Sequence, residues 1–178
     1  MKHPLSFLPS NLQKPFFYVF LALTIFIFGV FRFLDLPLQT SAAPNGIVSF
    51  ELAGSADAAH SMVESWDENA RLFAAFGLGF DYLFMPVYAA ALSLGLLLAG
   101  AKKVDWYRAL TAWMGWGALI AAIFDAVENY SLWNILTGNI DGSFAQIAAI
   151  CASIKFALLI LGLLVTVTGF AVKKKADN

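Results

Sequence analysis

Four long apolar stretches govern what this chain can become. The run Phe16 to Phe31 carries no charge before Arg32, the stretch 72–101 is broken only by Asp81, 109–136 only by Asp125 and Glu128, and 143–172 only by Lys155. About 20 predominantly apolar residues in helical form match the roughly 30 Å hydrocarbon core of a bilayer. Such runs have no place in a soluble domain of this size. The expected fold is therefore an all-α integral membrane protein, a four-transmembrane-helix antiparallel bundle forming one membrane domain over 1–178. Its spans fall at about 15–36, 71–101, 107–136 and 143–172. Composition agrees, with 60% hydrophobic and 15% aromatic residues and a mean hydropathy of +0.74.

The net charge of −1 hides a segregation. Lys2, Lys14, Lys102, Lys103, Arg108 and Lys173 to Lys175 fall at one side of the expected membrane, and Arg71 and Arg32 at the other. By the positive-inside rule both termini are cytoplasmic, in a bacterial inner (plasma) membrane. No basic stripe suited to nucleic acid is present. The lone cysteine, Cys151, excludes an intrachain disulfide, a CxxC redox pair and a cysteine-rich metal site. The partners to expect are membrane lipid, a small-molecule ligand and further copies of the chain. The sequence names no cofactor and no metal.

The segment 37–70 differs in composition from its surroundings and reads as extracytoplasmic. Ile47-Val48-Ser49-Phe50-Glu51-Leu52 alternates as a short extended piece does. Ser55 reads as an N-cap, with Asp57 complementing the dipole of the helix it starts. In that helix Ala59, Met62, Val63, Trp66, Ala70 and Phe73 recur at helical spacing, opposite His60, Glu64, Asp67 and Glu68. It is either a lid over the bundle or an interfacial anchor with Trp66 among the headgroups. Pro86 interrupts the hydrogen bonding of the second span and predicts a kink beside Asp81. Ser143-Phe144-Ala145-Gln146 fits a capping box for the fourth span.

The polar residues inside the spans carry the functional reading. Asp125, Glu128 and Asn129 stand at i, i+3 and i+4, which places them on one helical face. With about 1.5 Å of rise per residue, Asp81 lies roughly 15 Å along its helix from Arg71, and Lys155 and Asp125 lie at comparable distances from Ser143 and Leu136. Three helices thus bring charge to one layer in the outer half of the bilayer. Arg32 either snorkels to the interface or turns in to join them.

Three readings of this layer follow. In the first, Asp81, Tyr82, Tyr88, Asp125, Glu128, Asn129, Lys155 and Arg32 line a site for a small polar or amphipathic ligand or a lipid, with transport requiring an oligomer of so small a bundle. In the second, the protein is a structural or accessory membrane subunit whose charges form an interhelical network and nothing more. In the third, it is a membrane-embedded enzyme using a carboxylate as general base, or Asp81, Asp125 and Glu128 as divalent-cation ligands. A narrower variant makes Lys155 a Schiff-base lysine. No His-x-x-x-His or Glu-x-x-His pattern supports zinc or di-iron chemistry, and no serine- or cysteine-centred nucleophile motif is apparent.

Overall fold

A computed structural model describes residues 1–101, 103–139 and 141–171. Among these every regular element is helical. The helices are α1 (Ser10–Leu34), α2 (Ile47–Glu51), α3 (Ala56–Glu64), α4 (Glu68–Gly100), α5 (Asp105–Leu136) and α6 (Gly142–Ala171), with a 3-10 turn at Leu36–Leu38. α1, α4, α5 and α6 are each long and apolar enough to cross a membrane. Large apolar side chains such as Phe26, Phe76, Ile123 and Leu163 are more than half exposed, as lipid-facing positions would be. Lys102, Ile140, Val172 and Lys173 to Lys175 lie outside the described residues.

The chain divides into two compact units, and the division on α4 falls between Met85 and Pro86. Unit one comprises 1–24, 86–122 and 155–178, and unit two comprises 25–85 and 123–154. α4 stays helical through Pro86.

Unit two holds the loop segment, which has a core of its own. Leu38, Ala43, Phe50, Ala59, Val63 and Trp66 are buried together with Ala70, Ala74 and Leu78 of α4, Leu132 and Ile135 of α5, and Ala145 and Ala148 of α6. Trp66 is 2% exposed, its ring meets Phe50 edge-on at 5.2 Å, and its indole N–H donates to the Leu38 carbonyl at 2.8 Å. Trp66 is thus a core residue and not a headgroup anchor. The expected long helix from Ser55 is two helices. Ser55 caps the first, accepting from the Ala58 N–H at 3.3 Å. α3 then ends at Glu64, and Asp67 caps α4 by accepting from the Ala70 N–H at 2.7 Å. The apolar spacing was legible, whereas the break is made by the Asp67 cap and the Ser65 hydroxyl, which donates to the Met62 carbonyl.

Residues 47–51 are helical instead of extended, for a reason distant in sequence. Asp35, 6% exposed at the end of α1, accepts from the Ile47 N–H at 2.7 Å and so fixes the start of α2. Gly46 precedes it at φ +57°, and a side chain there would collide with the Asp35 carboxylate. Tertiary contact overrides the local alternation. At the start of α6 the cap is Asp141, which accepts from the Ser143 N–H at 3.0 Å, in place of the expected Ser143. These backbone and side-chain hydrogen bonds hold the Asp141 carboxyl below its usual range.

Unit one is packed differently. The short, proline-bearing N-terminal segment folds back so that His3 is buried against Gly115 of α5. The Trp116 indole N–H donates to the Lys2 carbonyl at 3.2 Å. Gly169 of α6 lies so near Ala99 and the Tyr107 hydroxyl that a Cβ would approach each to 2.7 Å. The same Tyr107 hydroxyl donates to the Val165 carbonyl.

Candidate functional site

The face predicted on α5 exists and is enclosed. Asp125 is 2% exposed, Asn129 2% and Glu128 0%, and Ser131 beyond them is also buried. Three polar groups at this spacing on an otherwise apolar helix are directed away from the lipid side, which Ile123, Val127 and Tyr130 occupy.

Asn129 fixes the face to α4. Its side-chain amide donates to the Asp81 carboxylate at 2.8 Å and to the Leu78 carbonyl at 3.2 Å. One amide group thus satisfies both a carboxylate and a main-chain oxygen. Tyr82, next to Asp81, is half exposed, and its hydroxyl donates to the Ala126 carbonyl at 3.1 Å. Two helices within unit two therefore bring Asp81, Tyr82, Asp125, Glu128 and Asn129 into one neighbourhood.

Arg32, Tyr88 and Lys155 complete the set of predicted residues. The Arg32 side chain is 62% exposed and lies 3.8 Å from Asp35, its i+3 neighbour. Tyr88 and Lys155 are both buried and belong to unit one. The Lys155 ammonium lies 4.7 Å from the centroid of the Phe156 ring, a cation–π distance. Among the described residues, no group of three or more His, Cys, Asp or Glu side chains is arranged to hold a metal ion.

Sequence reasoning missed two buried polar groups in unit one. His3 is 8% exposed and Ser93 0%, and the Ser93 hydroxyl has no hydrogen-bond partner among the described residues. The His3 Nδ1 accepts from the Leu5 N–H at 3.2 Å, which puts the proton of the neutral ring on Nε2. Burial pushes the imidazole down to about 4, opposed in part by the Ser93 backbone. The available signal was Gly115, a lone small residue between Trp113 and Trp116.

The class that fold and site define is an all-helical protein with four membrane-length helices and a buried acidic and amide face on the third of them. No family model matches the chain, and no curated protein or solved structure matches it either.

Proposed function

We propose that the chain is an integral protein of a bacterial inner membrane, an antiparallel bundle with cytoplasmic termini, and that the polar face of α5 binds a small polar or amphipathic molecule or lipid. The single observation that carries this is the near-complete burial of Asp125, Glu128 and Asn129 on one helical face. On insertion scales a carboxylate at the centre of a span costs about 2.5–3.5 kcal/mol. An interhelical polar contact in a membrane returns about 0.6 kcal/mol on average, so cohesion alone is a poor return for two carboxylates one turn apart. The proposed site comprises Asp81, Tyr82, Asp125, Glu128 and Asn129, together with the buried Lys155. Transport of the bound molecule would require association of several copies.

Native mass spectrometry of the detergent-purified protein tests this directly. A bound small molecule is expected on the parent chain and is expected to be lost, about tenfold or more in occupancy, from both Asp125→Asn and Glu128→Gln, while the helical signal persists. Retention of the same molecule by both variants refutes the assignment.

A second reading has its own support in the Asn129 hydrogen bonds to Asp81 and Leu78, which are what a purely structural network would contain. It predicts a lowered melting temperature in the same variants and no bound molecule in the parent.

A further inference from the structure

A groove of about 400 Å³ opens where α4 begins and α5 ends, lined by Glu68, Arg71, Leu72, Ala75, Trp133, Leu136 and Thr137. It contains none of the residues of the polar face on α5. Its composition changes along the helices: Glu68 and Arg71 stand at the terminus of α4, and apolar side chains follow toward the helix interior. The termini of membrane-length helices lie at the headgroup level whichever way the chain is oriented, and Trp133, half exposed, is the residue type that favours that level.

The two charged groups stand one turn apart and do not pair with each other. No ion pair joins Glu68 to Arg71, although i, i+3 partners commonly meet. The Arg71 Nε–H instead donates to the Val63 carbonyl at 3.0 Å, which anchors the guanidinium and leaves its terminal nitrogens without a carboxylate partner among the described residues. Thr137 is already committed, its hydroxyl donating to the Trp133 and Asn134 carbonyls. The groove therefore offers one fixed cation and one exposed anion above an apolar floor.

We propose that this groove seats one zwitterionic phospholipid, its phosphate on the Arg71 guanidinium, its ammonium on Glu68, and its acyl chains over Leu72, Ala75 and Trp133. Guanidinium is the side chain best matched to phosphate oxygens, which it can meet in a two-pronged hydrogen-bonded pair. An anionic headgroup fits less well. Glu64, Asp67 and Glu68 all lie within seven residues of Arg71 and make this stretch of the chain net acidic, which a headgroup carrying its own cation offsets. The volume matches a headgroup and the first part of the chains, leaving the remainder in the bilayer. The assignment rests on the membrane-spanning reading of the four helices and is independent of any ligand on α5.

The test is native mass spectrometry of the full chain released from nanodiscs of equal phosphatidylethanolamine and phosphatidylglycerol. One retained phospholipid is expected, enriched about fivefold in the ethanolamine headgroup. Arg71→Gln is expected to lower that adduct about tenfold. Glu68→Gln is expected to keep the total lipid bound while bringing the headgroup preference close to the membrane ratio. No retained lipid, a retained lipid at the membrane ratio, or a Glu68→Gln variant with undiminished preference overturns the proposal. Glu68 is exposed and makes no side-chain hydrogen bond among the described residues, so that variant decides the matter even if Arg71→Gln fails to fold. Failure of the protein to enter nanodiscs would instead refute the membrane reading itself.

Discussion

Unit two and unit one solve the same packing problem by different means. Unit two has a folded loop, and its core is closed by aromatic and aliphatic side chains together with directional bonds from Trp66, Asp35 and Asn129. Among its described residues unit one has no comparable loop and is closed by small residues that let neighbours come close, Gly115 admitting His3 and Gly169 admitting Ala99 and Tyr107. The first arrangement suits the water-exposed end of a bundle, where burying apolar area is favourable. The second suits apolar surroundings, where close contact between backbones replaces the hydrophobic effect as the source of cohesion. Removing volume should therefore harm unit two most, and adding volume should harm unit one most.

The largest expected effect breaks the comparison on the side of unit two. Trp66→Ala removes the central ring of the loop core and the indole hydrogen bond to Leu38, and should cost about 3–5 kcal/mol, read as a fall in thermal stability in detergent. Hydrogen exchange should rise across 36–66 while the amides of Leu5, Ser6 and Leu8 keep their protection. The reciprocal change is Gly115→Val. Overfilling a close contact costs about 1–3 kcal/mol, and here it should displace His3 and expose 5–9 while leaving the loop unaffected. If both variants loosen both segments equally, the two units are not held by separate means.

The sequence carried the four membrane-length helices because long apolar runs need no tertiary information. It also carried the face of Asp125, Glu128 and Asn129, since helical spacing alone dictates that they share a side. It did not carry the helical state of 47–51, because that depends on Asp35 reaching across the loop to Ile47. Nor did it carry the fate of Trp66 or Arg32. An amphipathic tryptophan fits a headgroup layer and a loop core equally well, and an arginine at a helix end satisfies itself with whichever acid lies within reach, here Asp35. The burial of His3 was the least legible, since a short segment rich in lysine and proline has the composition of a free tail and only the space above Gly115 makes it otherwise.

His3 gives the smallest effect and the sharpest one, because it can be reached by pH alone. Its buried ring has a pKa of about 4, against 6.5 for an exposed imidazole. Undocking therefore takes up a proton at any pH between these values. Docking of the N-terminal segment is strongest above pH 6.5, weakens as pH falls from 6.5 toward 4, and loses nothing further below that. Because the flanking residues are exposed and water reaches them, the loss should be about 1–2 kcal/mol, less than the full shift would give. A nitroxide on F7C, an exposed position, reports the docking, with Cys151 buried away from the label. Its mobility should rise between pH 6.5 and 4.5 in the parent chain and stay level across that range in a variant that also carries His3→Gln. The loop of unit two should show no such step, and a parallel loosening there would mean that the low-pH change is not specific to the His3 contact with Gly115.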